Sequence, residues 1–224
     1  MIIRKYNLVL RRLGEADIEL VRVKRNSDRI RRNMFFQKEI TPEMQRQWYY
    51  SVSNIYNYYF IIEHNGKKIG LINGKNVDYV NKTAEGGLFI WDEMYWGTPV
   101  AAYAALCLID VSFLIIKLEH IYFQVRTENE RVINFNKSLG YKLQTWQKDA
   151  GKAVYALAKA DYFTHAEKIR AAAMKLCNET GPLSWHDIEI AKPSAGERLG
   201  LYSGLPDYLQ VEINKKLSRA DRKA

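Results

Sequence analysis

The chain has little cysteine, two residues in 224, Cys107 and Cys177. They lie far apart inside apolar helical patterns, which excludes a disulfide framework and the close spacings that bind zinc. No metal site is expected, and both thiols read as small buried hydrophobes in a reducing compartment. Proline (5) and glycine (13) are also sparse and scattered, so a collagen-like or low-complexity chain is excluded. The amino terminus, Met1-Ile2-Ile3-Arg4-Lys5-Tyr6, lacks the long apolar run of a secretion signal, which makes a cytoplasmic location the expectation. One stretch, Val100 to Ile116, is almost continuously apolar. It falls short of the roughly 20 residues of a spanning helix and carries Asp110 in its middle, so no membrane span is expected.

What is present is the material of a folded core: 47% hydrophobic and 26% charged residues. The formal charge is +9, with much of the excess in Arg22, Lys24, Arg25, Arg29, Arg31 and Arg32, and in Lys215, Lys216, Arg219, Arg222 and Lys223. A basic surface attracts nucleic acid, anionic lipid or phosphorylated ligands. No RNA-binding signature or recognition-helix pattern accompanies it, so nucleic acid is not the expected partner.

Along the chain, Asn7 to Leu13 alternates weakly as a first strand, and Glu15 to Arg25 follows as a helix. Thr41-Pro42 opens a helix to about Val52, with threonine as cap and proline in the first turn. Tyr58 to His64 is rich in strand formers and ends in Asn65-Gly66, a hairpin signal. Strands over Lys68 to Val77 and Asn81 to Trp91 complete an antiparallel meander. A helix over Thr98 to Lys117 leads to a strand from His120 to Arg126, read as buried by helices on its faces. Asn129 to Ser138 is a short helix closed by Gly140, and Tyr141 to Gln147 with Lys152 to Lys159 forms a hairpin around Asp149-Ala150-Gly151. Beyond Ala160, Phe163 to Cys177 and Leu205 to Leu217 are helical, with a loop-rich Pro182 to Ser203 between them. The expected organisation is one domain over 1–160 and a helical extension over 161–224.

The block from Gly86 to Tyr141 runs strand, turn, apolar helix, strand, short helix. It ends in Asn129-Glu130-Arg131-Val132-Ile133-Asn134-Phe135-Asn136-Lys137-Ser138-Leu139-Gly140-Tyr141. This resembles the acyl-CoA half of the GNAT superfamily of N-acetyltransferases, particularly the branches acting on ribosomal-protein termini and nucleotide-linked amino sugars. The resemblance implies an α/β (α+β) fold, with a mixed, mostly antiparallel sheet flanked by helices. It also implies acetyl-CoA as co-substrate. The family's pyrophosphate turn, Gln/Arg-x-x-Gly-x-Gly/Ala, matches Trp96-Gly97-Thr98-Pro99-Val100-Ala101, with tryptophan at the first position and proline at the central glycine. A helix N-terminus presents free amides and a partial positive charge to such an anion. The implied donor contacts are Leu88 and Ile90 on the strand, Thr98 (amide and hydroxyl), Val100, Ala101 and Ala102 in the turn, and Asn129. A helix N-cap is a sufficient reason for Asn129 on its own.

For the chemistry, Ala84-Glu85-Gly86-Gly87 resembles the strand start where a family glutamate deprotonates the amine through water; a surface glutamate is the plain alternative. Asn136 stands where the family commonly has the tyrosine that serves the leaving thiol, with Tyr95, Tyr103 and Tyr141 as substitutes. At pH 7 an amine of pKa about 8 costs about 1.4 kcal/mol to deprotonate, against about 4.6 for lysine, so an easier amine suits a site with few acids and bases. Arg25-Asn26-Ser27-Asp28-Arg29-Ile30 and Ile40-Thr41-Pro42-Glu43-Met44-Gln45-Arg46-Gln47-Trp48 resemble the acceptor helices of nucleotide-sugar N-acetyltransferases. On that reading Arg25 and Arg29 meet a diphosphate, and Trp48, Trp91 and Trp96 stack on a base or sugar. Trp48 fits core packing equally. The expected activity is acetyl transfer from acetyl-CoA to a nucleotide-linked amino sugar. The alternatives are a protein N-terminal acetyltransferase and a non-catalytic module of the same fold, and a homodimer is left open.

Overall fold

In a computed structural model, which describes residues 1–147, 150–190 and 204–221, the chain forms one nine-stranded sheet with helices on both faces. Strand β1 (Ile2–Lys5) pairs with β2 (Leu8–Arg12) across Tyr6 and Asn7, whose φ values of 52° and 59° make a left-handed two-residue turn. This hairpin is absent from the expectation of a single strand over 7–13, because neither turn residue is glycine. Helices α1 (Ile18–Asn26), α2 (Asp28–Arg31) and α3 (Pro42–Val52) follow. Thr41 caps α3 as its position before proline implies, accepting from the Met44 amide at 3.2 Å.

Strands β3 (Tyr58–His64), β4 (Lys67–Asp78) and β5 (Thr83–Ile90) are the expected antiparallel meander, turning at Asn65-Gly66 through positive φ at both residues. Strand β3 is apolar from Tyr58 to Ile62 because both of its faces are covered there. Tyr58, Phe60 and Ile62 enter one core with α4 (Val100–Asp110). Tyr59 and Ile61 enter a second with Leu13, Val21, Ile30 and Leu71, beneath Trp48 and Tyr49 of α3.

Helix α4 gives way at Val111–Ile115 to a π turn, in which the Ile116 amide reaches the Val111 carbonyl at 2.9 Å. The helix expected to run to Lys117 therefore ends early, and Lys117 itself is left-handed at φ 64°. Strand β6 (His120–Arg126) follows, then α5 (Glu130–Ser138), β7 (Lys142–Gln147) and β8 (Lys152–Ala158). Gly140 takes the left-handed position after α5 at φ 99°. Ala150 and Gly151 of the expected final turn are described; Asp149 lies outside the described residues. Strand β6 is not buried on both faces as read from sequence. Its exposure alternates, with Ile121, Phe123 and Val125 in the core and Tyr122 and Gln124 turned the other way.

After residue 158 come α6 (Lys159–His165), α7 (Glu167–Cys177), a short strand β9 (Ile188–Glu189) and α8 (Asp207–Asp221). The segment expected as one helix from Phe163 is two, parted at Ala166. Within the expected loop, β9 adds to the sheet edge beside β1; residues 191–203 of that loop lie outside the described residues. The sheet order is β7-β8-β6-β5-β4-β3-β2-β1-β9. Tyr162, Ala166, Ala173, Leu183, Ile188, Leu209 and Ile213 share the core of β1 and α4.

Asp110 fastens this segment. It is 0% exposed and accepts from the Tyr162 hydroxyl at 2.8 Å, the Arg170 guanidinium at 2.7 Å and the Leu183 amide at 3.2 Å. Burial pushes its carboxyl above the usual range, against Arg170 and these hydrogen bonds. Asp110→Ala leaves three buried donors without an acceptor, and a loss of about 3–5 kcal/mol is expected in urea unfolding. A loss below about 1 kcal/mol would show that the cluster does not hold the segment down.

Asp17 makes the corresponding joint on the other face. Burial alone would raise its pKa, but hydrogen bonds from Arg11 (2.8 Å), Lys68 (2.9 Å) and the Gly14 amide lower it to about 2. A depressed carboxylate stabilises the fold above its unfolded pKa and loses that contribution as pH falls through the folded value. Asp17→Asn should therefore remove about 2 kcal/mol at neutral pH and flatten the acid-unfolding curve between about pH 4 and pH 2. A wild-type curve already flat in that window would contradict this.

Candidate active site

The site begins where two strands separate. β5 and β6 pair in parallel through Thr83–His120, Ala84–Ile121 and Glu85–Tyr122, and there the pairing stops. Beyond it, Gly86 to Ile90 pair with β4 alone, while Phe123 to Arg126 pair with β8 alone. The result is a wedge between two strand edges, open toward their carboxyl ends, where parallel sheets bind ligands. Leu88 and Ile90 lie on its β5 side.

At the mouth of the wedge the chain turns through Trp96 to Pro99 into α4. Gly97 has φ 79°, and the Tyr103 amide is the first to close an α-helical bond, to the Pro99 carbonyl at 2.9 Å. The Thr98 hydroxyl donates to the Tyr95 carbonyl at 2.7 Å and accepts from the Val100 amide at 3.4 Å. Its proton is thus committed to the turn, which corrects the expectation that it would serve an anion. The Thr98 amide also reaches Tyr95, at 3.3 Å. Among the described residues the amides of Gly97, Ala101 and Ala102 have no acceptor. These three, at the positive end of α4, can receive an anion.

Glu85 sits at the apex. Its carboxylate pairs with Lys75 at 2.9 Å and accepts from the Gln124 side chain at 3.2 Å. Burial together with the Glu85 charge pushes Tyr59 up to about 12, which places Glu85 on the face covered by α1 and α3. Tyr122, its neighbour across the ladder, is half-buried there. Lys75, Tyr122 and Gln124 went unnoticed in the sequence, although the period-two pattern of β6 does put Tyr122 and Gln124 on one face.

The other sequence-derived positions divide. The Asn129 side chain accepts from the Val132 amide at 3.3 Å and caps α5. Asn136 donates back along its own helix to the Val132 carbonyl at 2.8 Å. Of the tyrosines, Tyr141 is buried edge-on against Phe123, and Tyr103 lies near Tyr6 and Cys177, away from the wedge. Tyr95 stays beside the turn, edge-on to His64.

Trp48 packs edge-on against Tyr59 in the second core, and Trp91 is buried with its indole N–H on the Lys68 carbonyl at 2.9 Å. Trp96 is 36% exposed and donates to the Ile90 carbonyl at 2.9 Å, roofing the end of β5. Arg29 pairs with Glu93. Arg25 donates to the Phe36 carbonyl at 3.2 Å, its Nη1 is buried without an acceptor among the described residues, and burial lowers its pKa. No group of histidine, cysteine, aspartate or glutamate among the described residues could hold a metal.

A family model described as an acetyltransferase (GNAT) domain matches residues 7–142, more than half of the chain. The chain belongs to the GNAT acetyltransferases. Among curated proteins it is 32% identical over 85 residues to the spermidine N(1)-acetyltransferase of Escherichia coli K12. That match covers 38% of this chain and 45% of the relative, so it spans less than half of the relative's length. Among solved structures, spermidine N-acetyltransferase from Vibrio cholerae in complex with CoA and spermine superposes with a TM-score of 0.61 at 21% identity, over 70% of this chain and 98% of that one. A domain from Methanocaldococcus jannaschii gives 0.59 at 22% identity, over 67% and 97%. At these identities the solved structures bear on the fold, and the expected GNAT architecture is the one observed. No helix among the described residues is long and apolar enough to cross a membrane.

The turn's conformation can be tested alone. Gly97→Ala places a β-carbon at φ 79°, and a loss of about 1–2 kcal/mol is expected in urea unfolding. An unchanged midpoint would mean that the turn relaxes to negative φ at little cost.

Proposed function

We propose that this GNAT protein transfers an acetyl group from acetyl-CoA to a primary amine. The single observation carrying the proposal is the wedge: among the described residues, a β5 edge with no strand partner beyond Glu85, leading to a turn with three free amides. The pantetheine arm is an extended amide chain suited to the β5 edge, and the free amides of Gly97, Ala101 and Ala102 suit the pyrophosphate.

Acetyl-CoA supplies a thioester with a thiolate leaving group of moderate basicity. Glu85, paired with Lys75 at 2.9 Å, accepts the ammonium proton through water. The neutral amine attacks, forming the N–C bond as the C–S bond breaks. Backbone amides of the β5 edge that face away from β4, at Leu88 and Ile90, bind the developing oxyanion. The thiolate, with a reference pKa of about 8.5, leaves near neutrality and is protonated by water or the Tyr95 hydroxyl. Asn136 has its side-chain amide on the Val132 carbonyl of its own helix and takes no part in this step.

The acceptor is an amine on an anionic small molecule, in the finest reading a nucleotide-linked amino sugar. Support comes from electrostatics. Four carboxylates on the acceptor side already have cations: Glu85 has Lys75, Glu63 has Arg11, Glu93 has Arg29 and Asp28 has Arg31. Arg25 has one guanidinium nitrogen buried without an acceptor among the described residues. A polycation would have to displace these cations from their acids, whereas a diphosphate would be drawn to the arginines. Trp96, with the exposed Phe35 and Phe36, remains for stacking; Trp48 and Trp91 serve the core. A polyamine acceptor is the second reading, favoured by the 85-residue similarity to the spermidine enzyme.

A coupled thiol-release assay over UDP-linked amino sugars, spermidine and a basic peptide separates these readings. Turnover of the nucleotide sugar is expected; preference for spermidine would establish the second reading, and CoA binding without turnover a non-catalytic module. Glu85→Gln should lower kcat by about 10²-fold or more with little change in KM for acetyl-CoA. An unaltered kcat would remove Glu85 as the base.

A further inference from the structure

The donor turn is short of positive charge as the chain alone builds it. Pro99 has no N–H, the Thr98 and Val100 amides are engaged within the turn, and the Thr98 hydroxyl faces the Tyr95 carbonyl. Three amides remain for a pyrophosphate. A second element stands against the same turn. Arg131, in the first turn of α5, brings its guanidinium to Gly97: a β-carbon built on Gly97 would stand 3.6 Å from Arg131 Nη2. Other arginines near the site have partners, Arg29 with Glu93 and Arg126 with Glu128 at 2.9 Å. Among the described residues the Arg131 side chain enters no hydrogen bond or ion pair, and it is exposed.

Resting on the acyl-transfer reading, we propose that Arg131 is a donor-binding residue that grips the pyrophosphate of acetyl-CoA from the α5 side, opposite the free amides of α4. The physical case is compensation. A proline at the centre of the turn deletes a neutral donor, and a guanidinium at its flank supplies a charged one, which binds phosphate oxygens in a planar fork. Gly97 completes the arrangement. With no side chain, it leaves the space in front of the Arg131 guanidinium open to phosphate. The pyrophosphate is favoured over the more distant 3′-phosphate because Arg131 lies at the turn itself, where the helix field of α4 is strongest. The basic balance of the chain thus has one local use on the donor side, separate from the acceptor-side arginines.

Calorimetric titration of CoA and of dephospho-CoA, which lacks the 3′-phosphate, into wild type, Arg131→Ala and Arg131→Lys tests this. Arg131→Ala should weaken both ligands by the same factor of about 10 to 100, with an unchanged melting temperature and a shallower dependence of affinity on salt. Arg131→Lys should recover part of the loss, since it restores the charge without the fork. Equal CoA affinity in wild type and Arg131→Ala would overturn the proposal. A deficit seen with CoA and absent with dephospho-CoA would also overturn it, by moving the contact to the 3′-phosphate. Wild-type protein that binds neither ligand would instead overturn the acyl-transfer reading, and this inference with it.

Discussion

The short parallel pairing of β5 and β6 is the constraint on which the molecule is built. Three residue pairs hold the two halves of the sheet together, and beyond Glu85 and Tyr122 each strand keeps only its outer neighbour. A full ladder would leave no unpaired backbone and hence no cleft. Complete separation would divide the sheet. Partial pairing leaves half-buried polar backbone edges that call for a ligand or water. The crossover through α4 also brings that helix's amino terminus to the mouth of the opening. The two glycines at the start of the free edge, Gly86 and Gly87, keep it thin; a β-carbon on Gly87 would stand 2.8 Å from the Asn73 side-chain oxygen.

Helix α4 must be held firmly for this geometry to persist, and its other end shows how. Asp110, in the last residue of α4, gathers Tyr162, Arg170 and Leu183 from three separate parts of the carboxyl-terminal segment. Lys5 of β1 reaches Glu179 at 2.7 Å and Asp187 at 3.5 Å alongside. Buried ion pairs contribute little net stability but penalise misplacement strongly, so this cluster fixes position more than it adds energy. The segment beyond residue 158 thereby bears on the donor end of α4 through the helix itself.

Much of this was legible along the chain, and the exceptions have physical reasons. Strand β3 and the Asn65-Gly66 turn are local patterns with local causes. The Tyr6-Asn7 turn adopts the same left-handed geometry without glycine, because burial of Tyr6 in the core outweighs the backbone cost. The π turn after Asp110 was hidden because a helix apolar on every side has no face to mark a register shift. At the site, Glu85 and the Trp96–Ala102 turn are reached from sequence through the family resemblance, which is where their proposed roles come from. Trp48 and Trp91 could not be assigned, since an aromatic at a buried position looks the same in sequence whether it faces core or ligand. Lys75, Tyr122 and Arg131 join the site only through strand pairing and helix approach, which no linear motif records.

Hydrogen–deuterium exchange with and without acetyl-CoA addresses the central claim, that the open β5 edge and the α4 turn form one donor site. The account predicts slowed exchange of amides in Gly86 to Trp91 and Gly97 to Ala102 on binding, with little change in β1 to β3. Binding that leaves both segments unprotected, or that protects the acceptor-side helices alone, would contradict it.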